Sequence, residues 1–113
     1  MVKVFVTRNG EGKIEGFRVE GHAGYGYRGN DIVCAGVSVL TQGALIGLED
    51  YLGLQPEVII EPGLLQCSLS PRPAGLGGQI DAILETMLLG LYGLATEYPQ
   101  SVCILEEEVD CDA

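Results

Sequence analysis

The sequence predicts an α+β fold, with two helices packed on a mixed or antiparallel sheet. Three observations predict it. Short segments rich in β-branched residues alternate apolar and polar positions, two long runs carry apolar residues at helical spacing, and Gly, Pro or Asn-Gly punctuates the joins between them. The order of elements reads β-β-α-β-β-α-β. A chain of 113 residues fits one domain, spanning residues 1–113.

Residues 2–8 (VKVFVTR) alternate and read as a strand. Asn9-Gly10 begins a turn through Gly12, and residues 13–20 return as its hairpin partner, closed by Gly21. Residues 22–30 (HAGYGYRGN) have three glycines and no hydrophobic period, so they read as a mobile loop. Asp31 then stands as an N-cap before a helix of five to six turns (about 20 residues) that stops at Gly53. Residues 57–61 and 64–70 read as a hairpin about Pro62-Gly63. Residues 79–97 read as a second helix ended by Pro99, in which Gly90 and Gly93 permit close helix packing. Residues 101–107 read as the last strand.

The first helix is apolar around more of its circumference than a one-sided surface helix needs. Ile32, Val33, Ala35, Val37, Val39, Leu40, Ala44, Leu45, Ile46 and Leu48 do not fit one stripe. A helix of this kind is covered on more than one side, by the other helix or by a second subunit, and a homodimer is expected.

Hydrophobic residues make up 47% of the chain, which excludes a disordered protein. The helical runs are interrupted by Gly, Thr, Gln, Glu and Asp, so no membrane span is expected. The segment MVKVFVTRNG lacks the order of basic, apolar and small-residue regions of a secretory signal, and a cytoplasmic protein is expected. The net charge of −10 repels a phosphate backbone, so direct nucleic-acid binding is disfavoured and a basic protein or peptide partner is favoured. The carboxylate-rich segment Glu106 to Asp112 reads as a solvated tail.

Of the cysteines Cys34, Cys67, Cys103 and Cys111, no two have CxxC spacing, so neither a zinc knuckle nor a thioredoxin motif is present and no metal or cofactor is expected. Cys67 sits in an apolar alternation with Leu65 and Leu69, Cys103 in the last strand and Cys111 in the tail; these three read as structural or incidental. Cys34 is different. It follows Asp31 by three residues at a helix start, where backbone N–H groups lack helical partners and the dipole is positive. Both features favour a thiolate, and the same N–H groups suit an oxyanion during acyl transfer. His22 is the single histidine and stands just before the loop that runs into this helix. Imidazole is the usual base for a cysteine nucleophile. The pair therefore reads either as a catalytic dyad or as an inert thiol with a surface imidazole. Ser38 lies one turn beyond Cys34, on a strip continued by Thr41 and Gln42, and reads equally as a polar neighbour of the thiol or as a helix back-bonder. Asp31 reads as the cap or as a group that orients His22, and both roles are compatible.

Residues 21–38, GHAGYGYRGNDIVCAGVS, resemble the signature of the ribosomal-processing cysteine protease (Prp) family: Gly-His-Ala, a short Gly-containing loop, Asp-Ile-Val-Cys-Ala, one variable residue, then Val-Ser. Every fixed position of the pattern is matched. The resemblance implies a cysteine endopeptidase with His22 as base and Cys34 as nucleophile, and with Gly21, Asp31 and Ser38 at supporting positions. It also implies a substrate, the N-terminal extension of a large-subunit ribosomal protein, cut after an aromatic pair and before a short basic arm. Members of that family are bacterial, cytoplasmic and homodimeric. Under this reading Tyr25 and Tyr27 belong to a loop that closes over the peptide. The rival readings are a non-catalytic ribosome-associated module that docks a basic peptide without cutting it, and a thiol redox sensor at Cys34.

Overall fold

Five strands form one mixed sheet in the order β3-β4-β2-β1-β5 in the computed structural model, which describes residues 1–21 and 31–108. The strands are β1 (Val2–Arg8), β2 (Ile14–Glu20), β3 (Glu57–Glu61), β4 (Leu64–Ser68) and β5 (Val102–Glu108). The helices are α1 (Asp31–Ile46), continued by a π-helical turn over Gly47–Tyr51, and α2 (Gly77–Glu97). The α+β class and the element order expected from the sequence both hold. All pairings are antiparallel except β1 with β5, which run parallel in unbroken register from Val2↔Val102 to Arg8↔Glu108.

The strand alternation fixes which face is covered. Val4, Val19 and Leu65 are direct partners across the sheet, as are Val6, Phe17 and Cys67; all six are buried. One residue along, Phe5, Arg18 and Gln66 form the opposite, helix-free face, where Arg18 lies over the Phe5 ring at 5.2 Å. On the covered face α1 contributes Val33, Val37, Ala44 and Leu45, and α2 contributes Ile80, Leu84, Met87, Leu88 and Leu91, to one shared core. Each of these side chains larger than alanine stabilises the fold by about 1.5–3 kcal/mol through burial.

The two helices approach closely because small residues meet large ones. A Cβ at Gly90 would stand 2.7 Å from Leu40 Cδ2, and one at Gly36 would stand 3.0 Å from Leu94 Cδ1. Gly90 thus has the packing role expected of it, whereas Gly93 faces open space. The helix beginning at Asp31 runs on beyond α1 because the Leu52 N–H donates to Gly47 O at 3.0 Å, a bond over five residues, before Gly53 turns the chain with φ +70°.

Two expectations for the first helix need correction. The stretch Ile32–Tyr51 has 20 residues and is long and apolar enough to cross a membrane by length and composition, contrary to the sequence expectation. Its polar residues are too few and too scattered to break that pattern, and the π-helical turn prolongs it. Val33, Val37, Ala44, Leu45 and Leu48 of this stretch are engaged in the core shared with the sheet and α2, the setting of a core helix. Asp31 is itself the first residue of α1 rather than the residue before it, where an N-cap would stand.

Several charged groups on the rim are paired, and Glu106, expected to begin a solvated tail, is one of them: Glu106 to Glu108 belong to β5. Arg8 Nη1 donates to Glu85 Oε2 at 2.7 Å and its Nε to Glu106 Oε1 at 2.8 Å, tying β1 to α2 and β5. Hydrogen bonds to these two carboxylates raise the guanidinium further above its already high range. Asp81 is reached by Lys13 at 3.1 Å and by Arg72 at 2.8 Å. Burial opposes its ionisation, but these two cations outweigh burial and hold the carboxyl below the usual range.

Candidate active site

Cys34 sits in the first turns of α1, half-buried, and packs against the edge of the core. Its place follows from the pattern of the helix. Val33 and Val37 turn into the core, so Cys34 and Ser38 fall on the adjoining flank, the side away from the α1–α2 contact made by Gly36 and Leu40. Cys34, Ser38, Thr41 and Leu45 follow at i, i+4, i+7 and i+11 along that flank. Ser38 is half-buried and Gln42 is exposed. Thr41 is fully buried, and its hydroxyl donates to the Val37 carbonyl at 2.8 Å, so within the expected polar strip Thr41 is a back-bonder.

The other thiols are set apart by their surroundings. Cys67 is 3% exposed in β4, and burial, aided by the Glu49 charge, pushes its pKa up to about 12. It is inert as a nucleophile at neutral pH. Cys103 is half-buried in β5. Cys111 lies outside the described residues.

Gly21 closes β2 with φ +73°, a backbone conformation that suits glycine, and a Cβ there would lie 2.9 Å from the Met1 carbonyl oxygen. Its N–H donates to the Gly63 carbonyl at 3.2 Å. The end of β2 is thereby fastened to the β3–β4 turn, immediately before residue 22. His22, Tyr25 and Tyr27 lie outside the described residues. Asp31 opens α1, so Gly21 and Asp31 bracket the segment that carries the histidine.

Sequence reading missed a groove beside α1. It has a volume of about 390 Å³ and lies between the outer flank of the helix, at Gln42, Leu45 and Ile46, and the β3–β4 hairpin, at Ile60, Pro62 and Leu65. A long-range contact creates it, so no local pattern announces it. In the sequence Ile60 reads as an ordinary strand residue, and only the structure shows it exposed in an edge strand. A second hollow, lined by Thr7, Arg18, Gln66 and Ser68, lies on the helix-free face of the sheet and does not adjoin α1.

A half-buried thiol in the first turns of a helix, backed by a two-layer α+β core and preceded in the sequence by the single histidine, suits a thiol-dependent hydrolase. Comparison with known proteins narrows it. The family described as Cysteine protease Prp matches residues 1–103, and the chain belongs to that family. The Ribosomal processing cysteine protease Prp of Staphylococcus aureus is 28% identical over 102 residues, which cover 90% of this chain and 95% of that one. Among solved structures, a protein of Streptococcus mutans superposes with a TM-score of 0.86 at 28% identity, covering 96% of each chain. The S. aureus Prp in complex with a substrate peptide superposes with a TM-score of 0.81 at 27% identity, covering 94% of this chain and 99% of the other. The same protease with a covalently linked product peptide gives 0.75 at 29% identity, with 94% and 99% covered. The chain is a cysteine protease of the ribosomal-processing type.

Proposed function

We propose that this protease removes the N-terminal extension of a large-subunit ribosomal protein by Cys34–His22 catalysis. The observation that carries the reading is the position of Cys34 in the first turns of α1, which the chain enters from a segment that follows Gly21, held at φ +73°, and contains His22. His22 takes the Cys34 proton. The thiolate attacks the carbonyl carbon of the scissile bond, and N–H groups at the start of α1 hold the oxyanion. The tetrahedral species expels the amine, which leaves with the proton from His22. Water then attacks the thioester, gives a proton to His22, and releases the carboxylic acid as the Cys34 thiol is restored. The S. aureus relative with a covalently linked product peptide supports a covalent route.

Asp31 and Ser38 support the dyad in this reading, and Tyr25 and Tyr27 cover the peptide. The scissile bond follows an aromatic pair and precedes a basic arm, and the net charge of −10 favours the approach of such an arm. The setting is the cytoplasm and the working unit is a homodimer. Exposed Ile32, Val39 and Ile46 support the dimer: at seven-residue spacing they form an exposed apolar stripe along α1.

The test is a peptide carrying the aromatic-then-basic junction. Wild type is expected to cut it once, and Cys34→Ala and His22→Ala are expected to lose the activity. Binding without cutting by wild type would favour a docking module, and turnover retained in His22→Ala would assign the base elsewhere.

A further inference from the structure

The groove beside α1 has no part in the bond-breaking steps, and its lining is more apolar than a solvent-facing surface requires. Ile46 and Ile60 are 55% and 71% exposed, yet both border it. Leu45 and Leu65 form its floor. Its position ties it to the thiol. The flank of α1 that carries Cys34 and Ser38 continues directly to Gln42 at the groove mouth. Gln42 is eight residues beyond Cys34 in the helix, about 12 Å along the axis. The opposite wall is the β3–β4 hairpin, whose turn accepts the N–H of Gly21 and so abuts the segment leading to His22. A peptide laid along this flank advances about 3.3 Å per residue, so about three to four residues separate a bond at Cys34 from the groove.

Resting on the protease reading of Cys34, we infer that this groove is a substrate subsite: it takes one large apolar side chain three or four residues from the scissile bond and sets sequence preference there. The occupant is an apolar side chain because helix and hairpin both present hydrocarbon to it. Glu61 at its edge disfavours an acidic one. A second copy of the chain is the competing occupant, because Ile46 borders both the groove and the exposed α1 stripe; Ile60 separates the two, since it lies on the hairpin and not on the stripe.

The experiment is an alanine scan of a cleaved peptide across both sides of the scissile bond, read as kcat/KM for wild type, Ile60→Asp, Ile60→Leu and Ile59→Asp. Ile59 is exposed on the other face of β3 and serves as control. In wild type, replacing one large apolar residue three or four places from the cut is expected to lower kcat/KM about 10- to 100-fold. That loss is expected to vanish in Ile60→Asp, because the parent peptide is already impaired, and to persist in Ile60→Leu and Ile59→Asp. Elution on size exclusion is expected to be the same for all four proteins. A preference left intact in Ile60→Asp, a uniform loss on every peptide, or a loss that tracks altered elution would overturn the subsite. If wild type cuts no peptide, the protease reading has failed separately. The subsite is then judged by fluorescence anisotropy with a labelled apolar peptide: weaker binding to Ile60→Asp supports it, and unchanged binding refutes it.

Discussion

Replacing Gly21 with alanine tests the positive-φ position just before residue 22. Two effects act there. A φ of +73° disfavours an L side chain by about 1–2 kcal/mol. The added methyl would also stand 2.9 Å from the Met1 carbonyl oxygen, a backbone atom that moves only with the β1 terminus. Together these cost about 2–3 kcal/mol, or a fall in Tm of roughly 10–15 °C for a domain of this size. Gly53→Ala and Gly12→Ala provide the reference. Both glycines have positive φ, +70° and +79°, and nothing lies within 4 Å of an added Cβ. They carry the conformational effect without the contact, and any gain from a stiffer unfolded chain is the same for all three. Thermal unfolding followed by circular dichroism should therefore rank Gly21→Ala about 1 kcal/mol below the other two. Because Gly21 also directs the chain into residue 22, kcat/KM should fall by at least about tenfold in this variant, as for a misplaced catalytic group. Equal melting points for the three variants would refute the contact argument, and full activity in Gly21→Ala would refute the link to the dyad.

Other variants probe other parts of the account. Native protein treated with iodoacetamide at pH 7.5 should be left unmodified at Cys67, whose buried thiol has a pKa of about 12, and modification there in the folded protein would contradict the burial argument. Arg8→Met should lower stability at pH 7 by about 1 kcal/mol, the figure being small because the partners are partly exposed. Hydrogen bonds from Tyr92 and Arg8 hold the Glu106 carboxyl below its usual range, so its stabilising share is present above the unfolded value of about 4.3 and disappears as pH falls through the folded one. Urea midpoints of wild type and Arg8→Met should accordingly converge as pH falls below the unfolded value and through the lower folded one, and a constant gap would show that the effect is not titration of this carboxylate. Val39→Glu, which puts a charge at the centre of the exposed α1 stripe, should shift light-scattering mass from dimer to monomer without loss of helix content; a wild-type monomer would remove the stripe's assigned role.

Local pattern carried much of this fold. The alternation in VKVFVTR and the Asn9-Gly10 turn define the β1–β2 hairpin without reference to anything distant, and β1 does span Val2–Arg8. The apolar run after Asp31 marks the helix because its period is helical throughout. Three features were not legible. The parallel partnership of β1 and β5 joins the two ends of the chain, and nothing in either strand alone specifies it. The π-helical turn at Gly47–Tyr51 differs from its helix by a hydrogen-bond shift that no residue type announces. The groove arises only when the β3–β4 hairpin is set against Gln42 and Leu45. At the site, Cys34 and the polar strip after it could be read from helical spacing alone, although Thr41 proved to serve the helix itself. The order Gly21–His22 was visible as sequence, but the reason for glycine, a positive φ against the Met1 carbonyl, is a property of the folded sheet edge.

The central claim is that Cys34 attacks the peptide and His22 serves it. The direct measurement is single-turnover cleavage of the ribosomal-protein junction peptide, quenched in acid and followed by intact-protein mass spectrometry, for wild type, Cys34→Ala and His22→Ala. The account predicts a transient adduct on wild type equal in mass to the acyl-side fragment less water and mapped to Cys34. It also predicts no adduct on Cys34→Ala, and cleavage reduced at least about 10³-fold in both variants. Undiminished cleavage by Cys34→Ala, or an adduct on Cys67 or Cys103, would contradict it.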